Sequence, residues 1–105
     1  MQDWTRKFDE LLENPPEDPY EILAEAMGIV KTDENGYREL NLQLLEALYG
    51  TASSGERKML ACAVSMWSRD WNPALTADYP MRISDITTLD SECRRRLYKA
   101  IEATQ

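Results

Sequence analysis

The chain has 105 residues, 12 Lys and Arg against 19 Asp and Glu, a net charge of −7 and 43% hydrophobic residues, which suits one domain with one core. It contains no histidine and two cysteines, Cys62 and Cys93, far apart in sequence, so Ser-His and Cys-His nucleophilic pairs are excluded and a zinc site has nothing to be made from. No apolar run approaches the roughly 20 residues of a membrane span, and MQDWTRKFDE lacks the basic-then-apolar order of a signal peptide; a cytoplasmic protein without a membrane partner is expected.

From Asp3, the residues Trp4, Phe8, Leu11 and Leu12 share one helical face, and Asn14-Pro15-Pro16 stops the helix. Asp18-Pro19-Tyr20-Glu21 predicts a restart, with Asp18 as cap, proline in the first helical position and Glu21 at the third position of a capping box. Ile22, Leu23, Ala26 and Met27 form its buried side, and Gly28 ends it in a left-handed conformation. Residues 29 to 40, IVKTDENGYREL, carry the hairpin signal Asn35-Gly36, although Tyr37, Leu40, Leu44 and Leu48 also fit a helical stripe. A small hairpin or extended turn is expected there, with an early helix start as the alternative. Asp33-Glu34-Asn35-Gly36 is no calcium loop, because Lys31 and Leu42 stand where the first and last ligands belong.

A helix from about Asn41 gathers Leu42, Leu44, Leu45, Leu48 and Tyr49, and Gly50 closes it. The stretch Ser53-Ser54-Gly55-Glu56-Arg57, followed by Met59-Leu60-Ala61, resembles the signature loop of ABC ATPases, but no GxxxxGK[ST] loop accompanies it, and nucleotide hydrolysis is excluded. Ser53 with Glu56 reads better as a capping box opening the most apolar helix, from about Ser54 to Ser68, which should be central. Trp71-Asn72-Pro73 ends that helix. Residues 73 to 88 are expected as an ordered loop, with one extended piece, packing Leu75, Tyr79, Pro80, Met81, Ile83 and Ile86 over the core. Asp90 caps a last helix with an inward stripe of Cys93, Leu97, Ala100 and Ile101. Both cysteines lie on apolar stripes and read as small reduced core residues. The expected fold is a mainly α, compact bundle of four to five short helices in a single domain, residues 1–105.

Charge has no part in this packing scheme. Residues 1 to 50 hold 12 acids and 4 bases; residues 51 to 105 hold 7 acids and 8 bases. Between Phe8 and Val30 stand Asp9, Glu10, Glu13, Glu17, Asp18, Glu21 and Glu25 without one Lys or Arg. Asp9 with Glu13 and Glu21 with Glu25 are like charges at i, i+4, which weaken a helix. Either this is a solvated, solubilising face, or it is presented to a basic partner; nucleic acid itself would be repelled, so a nucleic-acid-binding protein is the fitting partner. Arg94-Arg95-Arg96 can be absorbed by the pairs Asp90–Arg94 and Glu92–Arg96. Trp67 and Trp71 share a helical face, and Trp71 at the rim is a candidate partner contact.

The run SSGERKMLACAVSMW, followed by ISDITTLDSECRRRLYKAI, resembles a pattern in small uncharacterised bacterial and mobile-element proteins, which implies no activity. By size and acidity alone the chain is similar to phage-encoded inhibitors such as anti-CRISPR proteins. The chain reads as a non-enzymatic protein-binding module, without cofactor or metal, that occupies a basic, nucleic-acid-binding surface through Asp9, Glu10, Glu13, Glu17, Asp18, Glu21, Glu25 and Trp71, as monomer or homodimer. The alternative is a small assembly subunit docking through apolar surface around Trp67 and Trp71. Carboxylate-only acid–base catalysis by Asp70, Asp78 and Asp85 ranks third.

Overall fold

The structure is a computed structural model that describes residues 4–67 and 73–105. The 3.6-residue apolar period becomes α1 (Trp4–Glu13), in which Trp4 and Phe8 are buried edge to face and Leu11 and Leu12 pack on the same core. Glu13 is its last residue because Pro15 and Pro16 offer no N–H to continue it. Asp18 caps the restart, its carboxylate accepting the Tyr20 N–H at 3.0 Å. The chain then makes a 3-10 turn, Pro19–Glu21, before the short α2, Ile22–Ala26. The Glu21 carboxylate that a capping box would use is held by Arg38.

Gly28, at φ +73°, turns the chain out of α2, and the Ile29 N–H reaches back to the Ala24 carbonyl at 3.1 Å. Strand β1 (Val30–Thr32) then pairs antiparallel with β2 (Arg38–Leu40), Val30 opposite Leu40 and Thr32 opposite Arg38. Residues 29 to 40 are therefore a hairpin and not a helix start. Asp33 organises the turn: its carboxylate accepts the N–H groups of Asn35 and Tyr37, both at 2.9 Å, and Gly36 takes φ +81°, which a residue without Cβ adopts freely.

Helix α3 (Leu42–Thr51) starts at an Asn41 cap and runs through Gly50 to Thr51, so Gly50 does not end it. Leu45 is buried, while Leu42 and Leu44 lie on the flanks of the stripe and stay exposed. Helix α4 (Ser54–Trp67) opens with the expected capping box, Ser53 Oγ donating to Glu56 at 2.9 Å and the Glu56 N–H donating back at 3.3 Å. Six consecutive residues from Met59 to Val64 are buried. A helix can bury six in a row only when it is covered on every side, which makes α4 the centre.

The connection after α4 differs from the loop expected for it. It contains α5 (Pro73–Asp78) and α6 (Ile83–Thr87). Pro73 suits the first position of a helix, and Asp85 accepts the Arg82 N–H at 2.9 Å, a helix start that the apolar spacing alone did not reveal. Leu75, Tyr79, Met81 and Ile86 do pack on the core, whereas Ile83 is 81% exposed. Helix α7 (Ser91–Ala103) is capped by Asp90, which accepts the Cys93 N–H at 2.8 Å. Leu97 and Ala100 are buried and Cys93 is half-buried, but Ile101 is exposed and Arg96, at 8% exposure, takes a place on the inward face. The molecule is thus mainly helical with one small hairpin, and its hydrophobic core draws on residues from Trp4 to Ala100. Among the described residues no helix is long and apolar enough to cross a membrane.

Candidate protein-binding surface

The seven acids of the N-terminal stretch meet different fates. Asp9 accepts from Arg96 Nη2 at 3.1 Å and from Nε at 3.3 Å, which ties α1 to α7. Glu10 lies 3.7 Å from Arg6 one turn earlier on an exposed face. Glu21 accepts from Arg38 Nε at 2.8 Å, and Glu25 bonds the other end of the same guanidinium. The i, i+4 repulsion between Glu21 and Glu25 is therefore relieved by one cation delivered by β2, and the bond to Glu25 first, then that to Glu21, raises the pKa of Arg38. Asp18 is half-buried and spent largely on the cap. Glu13 and Glu17 are exposed and have no hydrogen-bond or ion-pair partner among the described residues. Trp71 lies outside the described residues.

Two open grooves flank the Arg38 bridge. One, of about 500 Å³, runs past Leu11, Pro16, Glu17 and Asp18. The other, of about 370 Å³, lies between the 3-10 turn and the hairpin tip, lined by Tyr20, Tyr37 and Trp67. They share Asp18, Glu21 and Arg38, so they form one continuous surface with carboxylates at one end and aromatic rings at the other. Tyr37 is 69% exposed. Such a surface can receive a guanidinium or ammonium group through charge and through the faces of the rings.

Tyr20, Tyr37 and Arg38 are the members that the sequence alone did not place at a contact surface, and Trp67 was expected only in the alternative apolar surface with Trp71. The available signal was the hairpin itself: once residues 30–40 form two strands, Tyr37 and Arg38 must stand at its tip, beside whatever the hairpin packs on.

Several charged groups of the C-terminal half are committed locally. Glu92 accepts from Arg95 at 2.8 Å and from Arg96 at 3.1 Å, as the i, i+4 spacing predicted for the second pair. Arg94 instead donates to the Thr87 carbonyl at 3.4 Å, because Asp90 is occupied as the cap. Asp85 closes the start of α6, Asp78 ends α5, and Asp70 lies outside the described residues. Burial pushes the Cys62 thiol up to about 12 and Cys93 up to about 11, so both remain thiols at neutral pH. Neither is in a disulfide. Among the described residues no three metal-ligating side chains come together.

No protein-family model matches the chain, and no curated protein or solved structure matches it.

Proposed function

We propose that the chain is a non-enzymatic protein-binding module whose acidic and aromatic surface, from Glu13 and Glu17 to Tyr37 and Trp67, occupies a basic, nucleic-acid-binding surface of a larger protein, in the manner of an inhibitor. One observation carries the reading. Among the described residues, folding neutralises Asp9, Glu21 and Glu25 with long-range arginines, yet leaves Glu13 and Glu17 unpaired, Glu17 on the groove that continues into the aromatic one. Solubility alone needs no aromatic residue there: the −7 net charge already provides it. Exposed rings beside charges are the composition of contact surfaces, and negative potential steers a basic partner while repelling free nucleic acid.

The test uses an arginine-rich peptide as probe, followed by stopped-flow mixing across a range of ionic strength. The expected result is an association rate that falls steeply with salt, binding weakened by Glu13→Gln with Glu17→Gln, and further weakened by Tyr37→Ala. A salt-independent rate, or full binding by the double Gln variant, overturns the reading.

A further inference from the structure

Asn35-Gly36 shapes the hairpin turn, but that pair of residues also carries a chemistry that the turn does not consume. The chain has four asparagines. Asn14 and Asn72 precede Pro15 and Pro73, whose ring nitrogens have no hydrogen to lose, so neither can be attacked by the following backbone N–H. Asn41 precedes the bulky Leu42, and its side-chain oxygen is held as a helix cap by the Leu44 N–H at 3.2 Å. Asn35 is exposed at the hairpin tip, its successor has no Cβ, and the space where a Cβ would stand is open.

We propose that Asn35 is a site of spontaneous deamidation that places a new carboxylate on the rim of the aromatic groove. The Gly36 backbone nitrogen attacks Asn35 Cγ, the N–Cγ bond forms, the Cγ–Nδ2 bond breaks, and ammonia leaves with the proton that Gly36 nitrogen gave up. Water then opens the five-membered imide. Attack at Cγ yields aspartate; attack at the Asn35 main-chain carbonyl yields isoaspartate, with the chain now running through the side chain. Two hydrogen bonds must open first, Gly36 N–H to the Asp33 carbonyl at 3.0 Å and Asn35 N–H to the Asp33 carboxylate at 2.9 Å. They sit in an exposed turn between strands of three residues each, a two-stranded ribbon of the least stable kind, so the turn opens readily. The product adds a negative charge beside Asp33 and Glu34, next to Gly36 and Tyr37 of the groove. Its effect on a bound partner rests on the function proposed above, whereas the modification itself does not.

The experiment incubates the intact chain at physiological temperature, at neutral and mildly alkaline pH, and digests samples with trypsin. Cleavage after Lys31 and Arg38 isolates Thr32–Arg38, which holds Asn35 as its one asparagine. The expected result is a shift of that peptide by the mass of an amide-to-acid exchange, faster at the higher pH, resolved into two forms of which one coelutes with the peptide from Asn35→Asp. The peptide carrying Asn41 should stay unchanged over the same time. Failure of Thr32–Arg38 to shift while the free synthetic peptide converts, or conversion of Asn41 as fast as Asn35, overturns the proposal.

Discussion

Arg96 and Arg38 each bond two carboxylates and each tie distant parts of the chain together, and they differ in what surrounds them. The Arg96 side chain is 10% exposed and fixes α7 against α1 through Asp9 while also bonding Glu92 on its own helix. The Arg38 side chain is 37% exposed and spans Glu21 and Glu25 at the solvent edge of the hairpin. The first has buried its methylene stem, so it packs as well as pairs; the second is an open bridge that water can replace. One is part of how the molecule holds together, and the other sets how much negative charge its surface shows.

The largest effect should come from Arg96. Replacing it by Ala removes the stem packing and the bonds to Asp9 and Glu92, but both acids are more than half exposed and can rehydrate. The expected loss is therefore about 2 kcal/mol rather than the larger penalty of a stranded buried charge. Arg96→Met keeps the stem, and should recover about half of it. Urea unfolding followed by intrinsic tryptophan fluorescence checks both. Equal losses for Ala and Met would assign the whole effect to charge and break the contrast with Arg38.

The Glu92–Arg96 half of the first bridge followed from i, i+4 spacing, but the long-range bonds could not be read from the sequence, and the reason is distance. Asp9 and Arg96 are 87 positions apart, and Arg38 reaches Glu25 across 13 and Glu21 across 17. Capping, by contrast, is local chemistry, and the caps at Asp18, Ser53 and Asp90 were legible from spacing alone, as were the amphipathic face of α1 and the centrality of α4. Gly50 misled because a glycine ends a helix only when the next turn is not helical, which depends on what packs beyond it. Helices α5 and α6 were missed for a related reason. Each is six residues or fewer, too short for a period to show, and each is stabilised by its fit to the core rather than by its own pattern. At the candidate surface the acids were visible, but which of them remain unpaired was decided by arginines from elsewhere, and the aromatic half depended on the hairpin.

A second prediction separates the two regions by acid. The Cys93 backbone N–H bonds the Asp90 carboxylate and holds it below the usual carboxylate range, and Arg95, with Arg96 behind it, does the same to Glu92. A lowered folded-state pKa means stability that is present above the unfolded value, about 3.9 for Asp, and lost as pH falls through the folded one. Below about pH 4 the start of α7 should therefore loosen. Asp90→Ala should cost about 1 kcal/mol at neutral pH and flatten that acid limb. Hydrogen exchange of the amides from Ser91 to Arg94, followed down the pH range and corrected for intrinsic exchange, reads it directly. Unchanged protection in the wild type on acidification would show that the cap contributes nothing to holding α7.

The smallest stability effect belongs to Arg38, and it makes the sharpest use of the comparison. Because the side chain is more than a third exposed, solvent screens much of its attraction to Glu21 and Glu25, and Arg38→Ala should cost less than about 1 kcal/mol. It also removes the one cation that lines either groove among the described residues. Glu21 and Glu25, side by side one turn apart, then face solvent unneutralised, and the net charge becomes more negative by one. If the acidic and aromatic surface receives a basic segment, this variant should bind the arginine-rich peptide faster than the wild type at low salt, and the advantage should shrink as salt is added. Arg96→Met provides the control, since it changes net charge by the same amount at a site away from the grooves. Equal acceleration by both variants would mean that overall charge alone drives association, whereas acceleration by Arg38→Ala alone places the encounter at the hairpin.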